Sequence, residues 1–171
     1  FHVSTTHRLL RTLAARGYVV QHGTLRHFAL GPQLFALGNA YAGESLVDIA
    51  RPEIEALRAG FGETVHLGVY RDGEVIELAS ASGNQAVSVS LGAGRRDPAH
   101  CTALGKVLLA GLAADALQAF FAARTFERRT PRTLTRKADV LKAVEAARRL
   151  GYATDEEELA ADLCCIGVPI R

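Results

Sequence analysis

A chain of 171 residues, 49% hydrophobic and 22% charged, carries enough apolar side chains to bury a core, and its length allows one domain or two small ones. That excludes general disorder, and no apolar run approaches the length of a membrane span, so no membrane partner is expected. The formal net charge of +2 conceals an asymmetry: Arg8, Arg11, Arg16 and Arg26 precede the first acidic residue, Glu44, and the remainder has a small acidic excess. An acid-free basic segment, which also holds His2, His7, His22 and His27, suits a polyanion such as nucleic acid, although so short a stretch can be basic by chance. Three cysteines, Cys101, Cys164 and Cys165, are not the even, spaced set of a disulfide framework and point to a reducing cytoplasm. No export leader is recognisable. The chain opens on Phe1 rather than Met, and is expected to be a piece of a longer protein.

In chain order, Leu9, Leu10, Leu13 and Ala14 recur at helical spacing between Ser4, placed as an N-cap, and Gly17, placed as the stop. Tyr18 to His22 and Leu25 to Leu30 read as two short strands of a tight hairpin. Gly31 breaks the pattern, and Pro32 opens a linker helix with an apolar stripe of Leu34, Phe35, Leu37 and Tyr41. A helix from about Leu46 to Ala59 leads to alternation in Val65, Leu67 and Val69, an Asp72-Gly73 turn, and a second run through Val75, Ile76 and Leu78. Further on come a strand near Ala86 to Leu91, helices near Thr102 to Gly111, Asp115 to Ala123 and Lys137 to Leu150, and a last strand from Cys164 to Ile170. The basic stretch between Arg124 and Lys137 reads as a surface loop. This order gives an α+β class, an antiparallel sheet with packed helices.

A helix presenting short polar side chains at its start, followed by a hairpin, is the arrangement that sets a helix in the major groove and a wing on the backbone. Ser4, Thr5, Thr6 and His7 would occupy the groove, Arg8 and Arg11 would neutralise phosphates, and Arg26 would be a wing contact. The same residues could equally cap and solvate an ordinary surface helix. Gly105-Lys106 invites comparison with a phosphate-binding loop, but His100 stands where glycine is needed and Val107 where Ser or Thr is needed. Thr102 to Gly105 instead open an apolar helix whose free amides and positive dipole end would favour a carboxylate, or form a plain helix start.

The runs Ser4-Thr5-Thr6-His7-Arg8-Leu9-Leu10-Arg11-Thr12-Leu13 and Arg16-Gly17-Tyr18-Val19 resemble the recognition helix and wing entry of the IclR family of transcriptional regulators. The likeness continues through Leu30-Gly31-Pro32, Gly62-Glu63-Thr64-Val65-His66-Leu67, His100 to Lys106, and Asp155-Glu156-Glu157-Glu158 to Cys165. It implies a partial winged helix-turn-helix over 1–31, a linker helix over 32–45, and an effector-binding domain of GAF/profilin-like fold over 46–171, with the start of the first and the end of the last missing. It also implies operator DNA and a small organic acid as partners, and a homodimer or dimer of dimers. By the same resemblance Val89, Ala103, Leu104, Asp155, Leu163 and Cys165 line the effector pocket, Asp155 accepting a hydrogen bond from the ligand and Cys165 giving a soft wall. Small walls at Ala86 and Val89 favour a small or medium acid. Cys101, Cys165, His66, His100 and Asp155 could in principle form a thiol or metal site, but no Cys-x-x-Cys pair or His-Glu-x-x-His helix supports one, so no enzyme, metal or cofactor is expected.

Overall fold

Helix α1 spans Val3–Ala15. It starts one residue ahead of the expected N-cap: His2 caps it, its Nδ1 accepting from the Ser4 amide while the ring sits 2.7 Å from the Ser4 hydroxyl, so Ser4 lies inside the first turn. Gly17 stops it at φ 73°, a conformation open to glycine without a Cβ clash. Strands β1 (Val19–His22) and β2 (His27–Leu30) follow as the expected antiparallel hairpin, with Val19 opposite Leu30 and His22 opposite His27. The Gly31 amide donates to Tyr18 O and the Gln33 amide to Gly17 O, which ties the entry of α2 (Gln33–Tyr41) to the end of α1.

The computed structural model describes residues 2–22, 27–41, 46–84, 94–122 and 124–170. The chain divides into two compact units, Phe1–Ala50 and Arg51–Arg171, the division falling inside α3 (Leu46–Phe61). In the second unit β3 (Val65–Arg71) and β4 (Glu74–Ala81) pair antiparallel across Asp72 and Gly73, both at positive φ as a type I′ turn requires. A bulge lies between Leu67 and Gly68. A short strand, β5 (Arg96–Pro98), adds to β4, and carries too few residues and too little apolar alternation to be seen in the sequence. The strand expected at 86–91 lies outside the described residues.

A 3-10 turn over Ala99–Cys101 leads into α4 (Ala103–Ala110), then α5 (Ala114–Ala122) and α6 (Lys137–Leu150). Residues 124–136 form no helix or strand among those described. The core is Val75 of the sheet with Leu109, Leu117, Phe120, Phe126, Val140 and Val144, and Leu109, Val140 and Val144 are fully buried. Each such side chain contributes about 1.5–3 kcal/mol on leaving water. Helix α6 carries Asp139 in its first turn and Arg148 and Arg149 in its last, as its dipole favours. Arg148 also donates to the carbonyls of Ala110 and Leu112, fastening the end of α4.

The last two strands, β6 (Ala153–Glu156) and β7 (Cys164–Gly167), form their own antiparallel pair. Strand β6 was not apparent in the sequence because its inward residues are Ala153 and Asp155, and a buried aspartate masks the alternation. Strand β7 stops at Gly167 rather than Ile170, because Gly167 pairs with Ala153, where β6 begins, and Pro169 has no amide to donate.

Gly105 sits in α4 with no room for a side chain, since a Cβ there would overlap the backbone carbonyl of Ala99. Gly105→Ala should therefore lower stability by about 2–3 kcal/mol. Urea unfolding followed by circular dichroism measures this, and a loss near zero would show that the close approach of α4 to the 3-10 turn is not constrained.

Candidate functional site

In the first unit, Ser4, Thr6, His7, Arg8 and Arg11 are all exposed on α1 and Thr5 is half-buried. Ser4, His7, Arg8, Arg11, Thr12, Ala15 and Arg16 line one shallow concave surface of about 540 Å³ along the helix. Spacing of three and four residues places these groups on one side, with Leu10 and Ala14 turned half inward. Arg26 lies outside the described residues.

In the second unit the site is built around the start of α4. Thr102 is its N-cap, the hydroxyl accepting from the Gly105 amide at 3.0 Å. The amides of Ala103 and Leu104, in the first turn, have no intrahelical acceptor by position. Strand β7 comes directly against them: a Cβ on Gly167 would fall 2.8–2.9 Å from the Ala103 carbonyl and the Leu104 nitrogen. Two residues before Gly167, and so on the same strand face, is Cys165, whose partner across the ladder is Asp155. Leu163, half-buried, accepts from the Glu157 amide just ahead of β7. Ala103, Leu104, Asp155, Leu163 and Cys165 thus fall in one neighbourhood. Val89 lies outside the described residues.

Asp155 is 1% exposed and its Oδ1 accepts from the amides of Glu158, at 2.7 Å, and Leu159. Burial raises its carboxyl above the ordinary aspartate range, and the two amides pull it back. Burial likewise pushes the Cys101 thiol to about 12 and the Cys165 thiol to about 11, with Asp155 adding to both. Protonated thiols are poor nucleophiles at neutral pH, so neither is set up for thiolate chemistry. Cys164 faces outward and is exposed. The described residues hold no cluster of three or more His, Cys, Asp or Glu side chains placed to bind a metal ion.

One feature was only partly visible in the sequence. Lys106, 3% exposed in the middle of α4, donates from Nζ to the Thr154 carbonyl at 2.8 Å and to the Glu158 carboxylate. The signal was a lysine inside the apolar run Ala103-Leu104-Gly105-Lys106-Val107-Leu108-Leu109, a position that needs a buried partner. The same contact commits Lys106 away from any phosphate. From the other side the 124–136 loop closes on this segment: Thr130 and Thr133 hydroxyls donate to the carbonyls of Glu157 and Glu158, each at 2.6 Å. His100 completes the packing, stacked on Phe126 and 3.0 Å from the Glu127 carbonyl.

Comparison with known proteins fits this geometry. Residues 39–171 match the family described as bacterial transcriptional regulator IclR, C-terminal, and residues 2–23 match the IclR helix-turn-helix domain. The chain belongs to the IclR family. It is 32% identical to the HTH-type transcriptional regulator KdgR of Dickeya chrysanthemi, over 98% of this chain and 55% of that protein. It is 34% identical to the HTH-type transcriptional regulator BhcR of Paracoccus denitrificans, over 98% and 60%. Among solved structures, an IclR homolog from Microbacterium hydrocarbonoxydans complexed with 4-hydroxybenzoate superposes with a TM-score of 0.86 at 27% identity, covering 98% of this chain and 70% of that one. The chain spans about half to three fifths of these two curated relatives. The relatives are transcriptional regulators, and no described helix is long and apolar enough to cross a membrane.

Two outcomes follow. Lys106→Met leaves the Glu158 carboxylate buried and alone, and should lower unfolding free energy by about 3–5 kcal/mol, while Lys106→Met with Glu158→Leu should recover most of it. Urea titration of the three proteins checks this, and a single-variant loss under about 1 kcal/mol would contradict it. For His100, burial holds the imidazole below its ordinary 6.5. The folded state keeps it neutral while the unfolded chain takes up a proton, so its contribution is present above pH 6.5 and is lost as pH falls below that value. Stability measured between about pH 7 and pH 5 should fall less steeply in His100→Gln than in the native protein.

Proposed function

We propose that this chain belongs to a DNA-binding transcriptional regulator whose hold on a double-stranded operator is controlled by a small carboxylic or aromatic acid. The observation that carries the reading is the acid-free surface of α1, where Ser4, Thr6, His7, Arg8 and Arg11 stand exposed together. Short hydroxyl side chains and a histidine at the helix start suit base edges and phosphate oxygens in a major groove, with arginines one turn on for the backbone. Thr5 and Arg26 complete this contact set in the proposal.

Acid sensing is assigned to the second unit. The first-turn amides of α4 at Ala103 and Leu104 offer donors and a positive dipole end to a carboxylate. Asp155, Leu163, Cys165 and Val89 form the remaining wall, small and largely apolar. Support for an acid of this class comes from the relative that binds 4-hydroxybenzoate. The regulator works as a homodimer or dimer of dimers, a reading favoured by the exposed Leu34 and Leu37 of the linker helix α2. It is a cytoplasmic protein without enzymatic activity, consistent with three free cysteines and thiols kept protonated.

Fluorescence anisotropy of the full-length regulator on its operator duplex, across a potassium chloride series, tests the DNA half. Log affinity should fall linearly with log salt, and Arg8→Ala should reduce that slope by roughly 0.9, one phosphate contact. An unchanged slope would remove Arg8 from the interface. Adding 4-hydroxybenzoate in the same assay should shift operator affinity, whereas its neutral amide should not.

A further inference from the structure

Beside Asp155 and Glu158, the second unit holds a third buried carboxyl group, one that no role above uses. Glu77, at the middle of β4, is 5% exposed, and its Oε1 has no hydrogen-bond partner among the described residues. Its other oxygen, Oε2, lies 3.3 Å from Nδ1 of His66 on β3, and that nitrogen also lacks a hydrogen bond. The arginines beside it across the β4–β5 pairing are committed elsewhere, Arg95 to Asp97 and Arg96 to Glu74, each at 2.9 Å. A carboxyl group removed from water with an empty acceptor is costly unless something fills it.

The register fixes where this group points. Glu77 stands opposite Gly68, and Val75, two residues before Glu77 on β4, belongs to the core built on α4, α5 and α6. Side chains two apart share a sheet face, so Val75, Glu77 and Gly68 all face the helices. A Cβ on Gly68 would overlap Val75 Cγ1 at 2.7 Å and stand at ordinary contact distance, 3.4 Å, from Leu104 Cδ1, so Leu104 packs over the sheet at this position. Leu104 is the second residue of α4, within its first turn. The unpartnered Glu77 oxygen thus lies on the helix-facing side of the sheet, beside the position where the Leu104 side chain of the first turn of α4 packs.

We propose that Glu77, with His66 beside it, is the specificity-determining wall of the effector cleft and selects acids that carry a hydroxyl or amino group away from their carboxylate. The inference rests on the acid-sensing reading above. The α4 amides take the carboxylate, and the ligand's O–H or N–H donates to Glu77 Oε1, filling the acceptor that the protein leaves open. An acid of the same shape without that donor leaves the carboxyl group buried and unmet, and is rejected for that reason.

Isothermal titration calorimetry on the full-length regulator, with 4-hydroxybenzoate against benzoate and glycolate against acetate as probes, decides it. In the native protein the hydroxylated member of at least one pair should bind about tenfold tighter or more. Glu77→Leu, which removes the acceptor, should bring the pair to within about threefold. Binding of both members alike by the native protein overturns the inference and leaves acid sensing intact. A preference that survives Glu77→Leu shows that the hydroxyl is read elsewhere, and also overturns it. Failure of all four acids to bind overturns the acid-sensing reading together with the inference. The native-protein comparison stands by itself if Glu77→Leu does not fold.

Discussion

The buried pair between Lys106 and Glu158 is the interaction on which the second unit's geometry depends. It joins the middle of α4 to the segment that follows β6, two pieces of chain separated by 52 residues. Neither charge is tolerable in that interior without the other, so the pair dictates that the two segments meet in one register. Asp155 then finds the amides of Glu158 and Leu159, Thr130 and Thr133 find the carbonyls of the same turn, and β7 is carried against the start of α4. The strand face that carries Cys165 and the helix end it meets are thereby set by a contact further along both segments.

That arrangement separates the work of the polar groups. Charges inside the unit hold backbone in place, and the proposed ligand-facing side is left to amides, a few aliphatic walls and carboxyl groups with spare acceptors. Asp155 shows both roles in one residue, one oxygen spent on two amides while its strand partner is Cys165. Under the proposed function, such a site discriminates by whether a ligand completes hydrogen bonds that the protein leaves incomplete, which distinguishes near-identical small molecules better than apolar volume does.

The helices, the hairpin and the Asp72-Gly73 turn were legible in the sequence because each has a local signal: apolar spacing, a glycine stop, a dipeptide suited to positive φ. So was the neighbourhood of α4, Asp155 and Cys165, though only through likeness to a family. What stayed hidden was non-local. Strand β6 carries an aspartate where alternation expects an apolar residue, and β5 is held by its neighbour rather than by propensity. The burial of Glu77 was equally invisible, since Val75-Ile76-Glu77-Leu78 reads as a strand with one polar side and gives no hint that the helices cover that side. The cap at His2 was missed because serine outranks histidine as a capping residue, and here an imidazole nitrogen does the same work.

The adjacent cysteines on β7 carry a practical consequence. Neighbouring residues on a strand point to opposite faces, and consecutive Cα atoms are about 3.8 Å apart, shorter than the usual span of a disulfide. Cys164 and Cys165 cannot cross-link to each other without breaking the strand, and the inner thiol is shielded while the outer one is open to solvent. Air oxidation would accordingly join one molecule to another through Cys164, producing covalent dimers that mimic a biological assembly on a sizing column unless a reductant is present.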